Sequence, residues 1–376
     1  MGVRILLATE WGSTTSGLLS LGGGVVTHVA ELASHLSRMG HEVSVLAGRG
    51  DYLRSRGFRV IGLPGPEDPM TNLNLSPFLR RKISDLLKEE EPDVVHGHHI
   101  FSRIPTNAVI SASRLGMRSL LTTHTSLELG LEIVARFAGI VPWVRRALGA
   151  SRPVIAVSSS SERLVREICP DAEVVRIPNA VDARRFRPMD PEGAKEALGL
   201  NGKVILFVGR VTKGKGPGIL LAAAKRIPEG RVVIVGRGHY LPTLRSMVRI
   251  LGMGGRVSFA GHVSDEALPY YYAASDVVVV PSLRPESAPS VVLEAMASGR
   301  PVIASATGGM AEIVEDGRTG ILVPAGDVGA LSSALETVLG DPDLATSLGK
   351  EGRRTVLKKY SWDVVIPKLL ELYGVA

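Results

Sequence analysis

The sequence predicts an α/β protein built from two doubly wound parallel sheets in tandem, and three observations support this prediction. The chain has 376 residues, which suits two domains at roughly 150 residues each. Short β-branched runs alternate with longer segments of helical periodicity, as in βαβ units. This alternation stops at a stretch rich in proline and charge near residue 185 and then begins again.

The first series of strands and helices occupies the N-terminal half of the chain. Its β-branched runs are separated by helix-length segments, which predicts parallel pairing with helices on both faces of the sheet. A long loop of small residues precedes the first helix. We predict strands at 4–8, 42–46, 59–63, 93–96, 119–123 and 153–157, and a first helix at 25–39.

The second series begins at residue 203 and repeats the same pattern. We predict strands at 203–208, 231–235, 256–260, 276–280, 301–304 and 320–323. The chain ends in an amphipathic segment at 362–372, with Ser361 placed to cap a terminal helix. The predicted domains are therefore 1–184 and 185–361.

Composition narrows the possible functions. Hydrophobic residues make up 45% of the chain and charged residues 22%, which is typical of a globular protein and excludes general disorder. The single cysteine, Cys169, forms no internal disulfide, and no apolar run reaches the ~18 residues of a membrane-spanning helix. We therefore expect a reducing, cytoplasmic location.

The charge of the chain restricts its partners. The net charge is +7 and only 5% of the residues are aromatic. The basic residues form no dense stripe along the sequence, which disfavours nucleic acid as a partner. A mildly basic surface suits substrates that carry phosphate, or an anionic membrane surface.

Three glycines precede the first predicted helix. Gly22, Gly23 and Gly24 allow backbone N–H groups at a helix start to approach an anion. A flexible loop explains these residues equally well.

Two cations follow the first strand of the second series. Arg210 comes two residues after the strand, and Lys215 lies just ahead of the next helix. Open α/β sheets bind ligands at the carboxyl ends of their strands, and an Arg–Lys pair suits a diphosphate. Solvated surface charges are the alternative interpretation.

Two glutamates flank the start of a helix predicted at 291–298. Glu286 precedes the helix and Glu294 lies on its second turn. A carboxylate accepts hydrogen bonds well from neighbouring sugar hydroxyls. The helix macrodipole alone accounts for Glu286 but poorly for Glu294.

Histidines cluster at two predicted strand ends of the first domain. His96, His98 and His99 lie at one strand end, and His124 ends the next strand. Two histidines two residues apart, with no carboxylate nearby, make a weak zinc motif. We therefore predict contact with a ligand rather than a metal, and a structural role for His28.

Asp341 and Asp343 form an Asp-x-Asp sequence, which in some sugar transferases binds a metal. Here the pair immediately precedes a predicted helix, and we interpret it as a helix cap. Ser158 lacks the flanking glycines of a nucleophile elbow and is likewise interpreted as part of a capping run.

Together and in this order, the motifs resemble the retaining glycosyltransferases of family 4 over nearly the whole chain. The resemblance implies the GT-B fold, in which two Rossmann-like doubly wound domains face an interdomain cleft. The matching sequences are Gly22-Gly-Gly24-Val25 with His28, Gly40-His41-Glu-Val43, His96-x-His98, Thr123-His124-Thr-Ser126, Ile177-Pro-Asn-Ala-Val-Asp182, Phe207-Val-Gly-Arg210, Lys215-Gly216, Val235-Gly-x-Gly238, Glu286-x7-Glu294-Ala-Met-Ala, Gly308-Gly309-x2-Glu312-Ile-Val and Asp316-Gly317-x2-Gly320.

The resemblance also implies roles for individual residues. A nucleotide-diphosphate sugar would bind mainly to the second domain, with Arg210 and Lys215 on the diphosphate, Glu294 on the ribose and Glu286 on the sugar. No metal or cofactor is implied, and the terminal helix, 362–376, is expected to pack on the first, acceptor-binding domain. The implied donor-binding residues are Gly23, Gly24, Arg210, Lys215, Gly236, Glu286, Ser287, Ser290 and Glu294; the catalytic ones are His124, Arg210, Lys215 and Glu286; the acceptor-side ones are His96, His98 and His99.

Within the family, the chain is similar to transferases that modify phosphatidylinositol with N-acetylglucosamine or mannose. A UDP-GlcNAc or GDP-mannose type of donor, a lipid acceptor and same-face attack by the acceptor hydroxyl are therefore expected. The alternatives are a GT-B sugar-nucleotide epimerase and an inactive nucleotide-sugar-binding protein. One departure from the family pattern is Ala288-Pro289, where the family commonly has an aromatic residue and a glycine.

The apolar segment 131–148 carries arginines as well as aromatic residues. That combination is typical of a helix at a membrane interface. A buried core helix interrupted by Pro142 explains the same pattern.

Overall fold

The computed structural model describes residues 2–10, 23–48, 57–63, 65, 74, 76–136 and 138–375. The chain divides into two compact units. The first comprises Met1–Asn179 and Val365–Ala376, and the second Ala180–Val364. Each unit contains a parallel sheet with helices around it, which confirms the predicted α/β class with two doubly wound sheets.

The sheet of the first unit has seven strands within the described residues, in the order β3-β2-β1-β4-β5-β6-β7. Neighbouring strands are parallel, with His96 of one strand opposite Leu7 and Leu120 of its neighbours. The strands are β1 (Arg4–Ala8), β2 (Glu42–Ala47), β3 (Arg59–Gly62), β4 (Val94–His98), β5 (Arg118–Thr123), β6 (Val154–Ala156) and β7 (Val174–Arg176). The sequence prediction missed β7, which is short and only partly buried.

The helices of the first unit connect these strands. They are α1 (Gly23–Arg38), α2 (Leu79–Glu90), α3 (Arg103–Arg114), α4 (Leu127–Arg136), α5 (Val141–Ala150) and α6 (Ser159–Ile168). Ser158 caps α6, since its side chain accepts a hydrogen bond from the Ser161 N–H at 3.2 Å. The predicted capping role of Ser158 is confirmed.

The second unit repeats the architecture with six strands among its described residues, in the order β10-β9-β8-β11-β12-β13. The strands are β8 (Lys203–Val208), β9 (Gly230–Val235), β10 (Val257–Gly261), β11 (Val277–Val280), β12 (Val302–Ser305) and β13 (Ile321–Val323). All neighbours in this sheet are parallel. Therefore the carboxyl ends of β8 and β11, which are adjacent, meet at one edge of the sheet.

Most helices of the second unit pack on the two faces of its sheet. They are α7 (Pro191–Ala197), α8 (Pro217–Ala224), α9 (Leu241–Ile250), α10 (Leu268–Ala274), α11 (Ser290–Ala297), α12 (Met310–Ile313), α13 (Val328–Gly340) and α14 (Pro342–Lys359). Asp341 caps α14, because its carboxylate accepts hydrogen bonds from the N–H groups of Asp343 and Leu344. The capping interpretation of Asp341 is confirmed.

The core of the second unit shows why its strands form where they do. Val277–Val280 are all buried, two side chains packing on each face of the sheet. A strand covered by helices on both faces needs an unbroken apolar run rather than an alternating one. Each buried valine contributes roughly 1.5–3 kcal/mol, and this stability holds the strand ends that present the site.

The last helix, α15 (Trp362–Tyr373), begins in the second unit and ends in the first. Its C-terminal part is held by Arg118, whose guanidinium donates to the Leu372 carbonyl at 3.0 Å. Tyr373 is buried in the first unit.

The segment 131–148 contributes to the core of the first unit. Val144, Ala147 and Leu148 of α5 are fully buried against Ile100 and neighbouring residues, which favours the core-helix interpretation for α5. Leu131 of α4 is exposed. None of the described helices has the length and apolar character needed to cross a bilayer.

Candidate active site

The two predicted cations of the second unit lie on loops at the carboxyl edge of its sheet. Arg210 follows β8, and Lys215 ends a short 3₁₀ helix, Lys213–Lys215. The next residue, Gly216, has φ +70° and approaches the Pro281 carbonyl so closely that a Cβ would lie 1.9 Å from its oxygen. Only glycine fits there, and this contact fixes Lys215 beside the loop that follows β11.

Glu286 lies on that loop and forms an ion pair with Lys215. The Lys215 ammonium donates to Oε2 at 2.5 Å, and the Ser282 hydroxyl donates to Oε1. Burial alone would raise the pKa of Glu286, but Lys215, Ser282 and the nearby Arg210 outweigh it and hold the pKa below its usual value. Two cations therefore share one ionised carboxylate, which leaves positive charge for an anion.

A glycine pair positions the backbone of Glu286. The Gly309 N–H donates to the Glu286 carbonyl at 2.6 Å, and a Cβ on Gly309 would lie 1.7 Å from the Ser287 carbonyl oxygen. Gly308 approaches the same peptide with φ +53°. The Gly308-Gly309 motif therefore serves this loop by close backbone packing.

Glu294 lies inside α11 and is almost completely buried. Its Oε2 accepts a hydrogen bond from the Tyr272 hydroxyl at 2.7 Å. Burial raises the pKa of Glu294, although hydrogen bonds from Tyr272 and Ser290 partly offset this effect. Tyr272, itself packed edge-on against Phe186, orients the carboxylate.

The backbone geometry at Gly236, which is predicted to bind the donor, explains why a glycine occupies this position. It has φ +133°, and a Cβ would lie 1.9 Å from the Gly209 carbonyl oxygen. Its N–H already donates to the Gly261 carbonyl at 2.6 Å. Gly236 therefore lets the loop after β9 approach the residue before Arg210, and it has no spare N–H for a phosphate.

The unusual Pro289 occupies the N-cap of α11. Proline cannot donate a backbone hydrogen bond, but this residue precedes the first helical N–H, that of Ser290. The N–H groups of the first turn, which lack partners within a helix, are therefore retained despite the departure from the family pattern.

In the first unit, His96 is held on both sides. Its Nδ1 lies 2.7 Å from the Tyr373 hydroxyl of α15, and its Nε2 lies 2.7 Å from the Thr122 hydroxyl of β5. Burial lowers its pKa to about 3. With both ring nitrogens occupied, His96 connects the last helix to the sheet.

His98 and His124 face each other across neighbouring strand ends. The Nδ1 of His98 lies 3.3 Å from the Nε2 of His124. His28 of α1 packs against both, with ring centroids 5.7 Å and 5.1 Å away respectively. Burial lowers the pKa of all three below the usual value, to about 4 for His28, which keeps the rings neutral.

His99 adopts φ +92°, a conformation that a side chain other than glycine rarely adopts. Its Nδ1 lies 2.9 Å from the Ser102 hydroxyl and its Nε2 lies 3.3 Å from the Thr125 hydroxyl. These contacts hold the turn between β4 and α3.

Gly23 and Gly24 form the first residues of α1, where helical N–H groups have no intrahelical partners. Gly24 is exposed, which is compatible with the predicted approach of an anion. Gly22 lies outside the described residues.

Glu10, which the sequence analysis did not single out, is a buried carboxylate two residues after the end of β1. Its two oxygens accept from the N–H groups of Asn74 and Ile104, at 2.6 Å and 2.7 Å. Burial raises its pKa to about 7, although the backbone hydrogen bonds oppose the shift. Glu10 therefore anchors α3 and the segment at Asn74 to the end of β1.

The structure brings the predicted residues together in two groups. Arg210, Lys215 and Glu286 form a charged group in the second unit, with Ser287 and Ser290 on the same loop and helix start. His98 and His124 meet in the first unit. Sequence reasoning missed Tyr272 and Ser282, whose partners are known only from tertiary packing, although the tyrosine run at 270–272 was visible.

Comparison with known proteins agrees with this architecture. A family model described as glycosyl transferases group 1 matches residues 190–355, and another described as glycosyltransferase family 4 matches residues 22–185. A phosphatidyl-myo-inositol mannosyltransferase from Mycolicibacterium smegmatis is 31% identical over 361 residues, covering 93% of this chain and 90% of that protein.

Two further proteins extend the comparison. A GDP-mannose-dependent alpha-(1-6)-phosphatidylinositol monomannoside mannosyltransferase from the same organism is 30% identical over 377 residues, covering 93% and 94% of the two chains. The structure of a sucrose-phosphate synthase from Thermosynechococcus elongatus has a TM-score of 0.81 at 25% identity and covers 98% of each chain.

These comparisons and the two parallel sheets define a glycosyltransferase with the GT-B fold. The chain belongs to glycosyltransferase family 4.

Proposed function

We propose that this enzyme transfers a sugar from a nucleotide-diphosphate sugar to a hydroxyl of a phosphoinositide lipid, with retention of anomeric configuration and without a metal ion. The observation that carries the proposal is the charged group of Arg210, Lys215 and Glu286. Its two cations and one carboxylate match the two halves of such a donor, an anionic diphosphate and a hydroxylated sugar.

The cations stabilise the leaving group. As the bond from the anomeric carbon to the diphosphate oxygen breaks, negative charge grows on the diphosphate. Lys215, held by its ion pair with Glu286, and Arg210 on the neighbouring loop interact more strongly with the transition state than with the bound donor. Two fixed cations supply the charge that a metal supplies in other sugar transferases.

We assign Glu286 to binding the sugar of the donor. Its oxygens are bonded to Lys215 and Ser282 before a donor arrives, and a diphosphate competes with Glu286 for the Lys215 ammonium. The carboxylate then accepts hydrogen bonds from sugar hydroxyls. Its position is held through the glycine pair on its backbone.

Glu294 binds the ribose of the nucleotide. The hydrogen bond from Tyr272 fixes one oxygen and the rotamer of the side chain. The remaining acceptor positions on the carboxylate suit the two neighbouring ribose hydroxyls.

The proposed transfer occurs on one face of the sugar. The acceptor oxygen attacks the anomeric carbon from the side on which the diphosphate departs, while its proton passes to the leaving phosphate oxygen. One C–O bond forms as the other breaks. Glu286 is not assigned as a nucleophile, because Lys215 and Ser282 hold it as a hydrogen-bonding carboxylate.

The first unit is assigned to the acceptor. Neutral His98 and His124 have the donor and acceptor capacity to bind hydroxyl groups. His96 and His99, whose ring nitrogens are already engaged, act as positioning residues for the two strand ends. This division refines the predicted acceptor side.

The relatives suggest the two substrates. Their names specify phosphatidyl-myo-inositol as acceptor and, for one of them, GDP-mannose as donor. The net charge of +7 suits work at an anionic membrane surface. We therefore infer a GDP-mannose type of donor over the UDP-GlcNAc type.

A matrix of donors and acceptors tests the proposal. GDP-mannose or UDP-GlcNAc is combined with phosphatidylinositol vesicles, phosphatidylcholine vesicles or free inositol phosphate, and release of the nucleoside diphosphate is measured. We expect release only with GDP-mannose and phosphatidylinositol, and NMR of the product should show a retained anomeric configuration.

The same assay separates the alternatives. An epimerase would change the sugar while leaving the nucleotide sugar intact, and a binding protein would release nothing despite binding the donor. Binding is checked independently by thermal unfolding, since a ligand at 100 times its Kd adds ~2.7 kcal/mol to the free energy of unfolding.

A further inference from the structure

Three histidine side chains from three separate elements converge in the first unit. His28 comes from α1, His98 from the end of β4 and His124 from the residue after β5. One ring nitrogen from each lies within 4.8 Å of the other two. The sequence favoured ligand contact over a metal because His96 and His98 alone make a weak motif, but α1 supplies a nitrogen that the motif lacked.

The separation of two of these nitrogens matches a metal site. At a tetrahedral zinc with Zn–N distances of ~2.0–2.1 Å, two ligand nitrogens stand about 3.3 Å apart. The Nδ1 of His98 and the Nε2 of His124 are 3.3 Å apart. They can share one proton, as two neutral rings do, or they can bind one metal ion at the same nitrogen–nitrogen separation.

The hydrogen bonds of the neighbouring rings restrict which histidines are available. Both nitrogens of His96 are engaged by Tyr373 and Thr122, so it is not a ligand. Within the described residues, the buried Nε2 of His98 has no hydrogen-bond partner. The hydrogen-bonding needs of this buried cluster are therefore only partly satisfied, which is costly in a protein interior.

The three rings are also in the protonation state that a metal requires. Burial lowers the pKa of each below its usual value, and a neutral imidazole has a lone pair to donate. Imidazole ligands suit zinc and related divalent transition metals, whereas magnesium and calcium prefer oxygen.

We propose that His28, His98 and His124 bind one divalent transition-metal ion of the zinc class through their imidazole nitrogens. Three protein ligands leave a fourth position open for water or another small ligand. The ligand atom of His28 lies within 4.8 Å of the other two, and its side chain moves toward them when the ion binds. If the proposed acceptor role of His98 and His124 holds, the ion competes with the acceptor rather than assisting transfer.

Metal binding is measured on the full chain without an affinity tag. The protein is stripped with EDTA, dialysed against Zn(II), and analysed for zinc per chain by mass spectrometry. We expect one equivalent of zinc, and on loading with Co(II) the intense visible absorption of a tetrahedral cobalt site. Less than half an equivalent, or only the weak spectrum of octahedral cobalt, would refute the site.

Paired variants locate the ion. His28→Gln should weaken zinc binding by more than the ~10–100-fold that loss of an outer hydrogen-bond partner causes, while His239→Gln, at an exposed position of the second unit, should bind like the wild type. Unchanged affinity in His28→Gln would refute the assignment.

Stability measurements show whether His28→Gln still folds, so that its zinc affinity can be compared with that of the wild type. His28→Gln should retain the circular dichroism spectrum and the apo melting temperature within a few degrees. If it does not, the wild-type protein alone decides, because Zn(II) must raise its melting temperature as a ligand of the folded state does. These readouts use no sugar donor or acceptor, so their failure is separate from failure of the proposed function.

Discussion

The buried titratable side chains of the two units differ in their ionisation state. In the first unit, burial lowers the pKa of His28, His98 and His124, and the rings are neutral. In the second, Lys215, Ser282 and Arg210 together outweigh the burial of Glu286, so its pKa is lowered and the carboxylate is ionised. Burial thus removes charge where no counter-charge is supplied, and ion pairing preserves it where one is. The second unit is therefore suited to a diphosphate, and the first to hydrogen bonding or metal ligation.

Removal of a cation from the second unit should have the largest effect. We expect Lys215→Ala to lower turnover by about 10² to 10³, because a fixed cation stabilises the leaving diphosphate mainly in the transition state. Arg210→Ala should behave alike, and the double variant should lose far less than the product of the two single losses. Steady-state kinetics of the three variants measures this.

Lys213→Ala is the matched control, since Lys213 is an exposed lysine in the same short helix. It should stay within a factor of about two of the wild type, as for ordinary exposed charges. Near-wild-type turnover of Lys215→Ala would show that the diphosphate binds elsewhere.

Substitutions of the two glutamates should affect nucleotide binding and turnover differently. Glu286→Gln frees Lys215 from its ion pair, and we expect nucleoside diphosphate affinity to be unchanged or higher while turnover falls about 100-fold, the scale of one lost charged hydrogen bond. Glu294→Gln should instead weaken nucleoside diphosphate binding about tenfold through lost ribose contacts. Calorimetry with the bare nucleoside diphosphate measures the affinity of both variants. Weakened binding in Glu286→Gln and unchanged binding in Glu294→Gln would interchange the two roles.

The difference between the two units also predicts that their stabilities depend differently on pH. Above pH 6.5, buried histidines are neutral in both the folded and unfolded chain. Below it the unfolded chain gains protons that the folded chain does not, since the pKa of His28 and His99 is about 4. Each such histidine reduces the free energy of unfolding by about 1.4 kcal/mol per pH unit as pH falls. Glu286, with a lowered pKa, contributes stability that is lost only at more acidic pH.

Native-state hydrogen exchange measures this difference unit by unit. Between about pH 7.5 and about pH 5.5, protection factors of β4 and β5 should fall more than those of β8 and β11. Equal losses in both sheets would mean that the histidines are not buried and neutral as described.

The sequence predicted more of the fold than of the site. Strand β8 was predicted with its observed ends, because a buried parallel strand appears as an unbroken apolar run between turn residues. Arg210 and Lys215 were predicted as site residues because ligand sites lie at strand ends. His28 was assigned a structural role and Tyr272 was not singled out, since only tertiary packing brings a helix residue to a histidine or glutamate far along the chain.

Tyr272 provides a smaller, sharper test of the second unit. Tyr272→Phe removes the hydroxyl that donates to Glu294 and keeps the packing of the ring. We expect the KM for the donor to rise about five- to tenfold, the value of one such hydrogen bond, with kcat nearly unchanged. Tyr270→Phe, at an exposed position, is the control. A fall in kcat with an unchanged KM would assign Glu294 to the sugar rather than to the ribose.

Chelation should have the smallest effect on transfer. In the proposed mechanism Arg210 and Lys215 supply the positive charge that the diphosphate needs, and Asp341 of the Asp-x-Asp sequence uses its carboxylate to cap α14. Excess EDTA should therefore leave the rate of transfer unchanged. If zinc bound by the histidines competes with the acceptor, EDTA should raise the rate of zinc-loaded enzyme, because chelation frees His98 and His124. Loss of activity that manganese restores would contradict the cation-pair mechanism, since the charge on the leaving diphosphate would then depend on a metal.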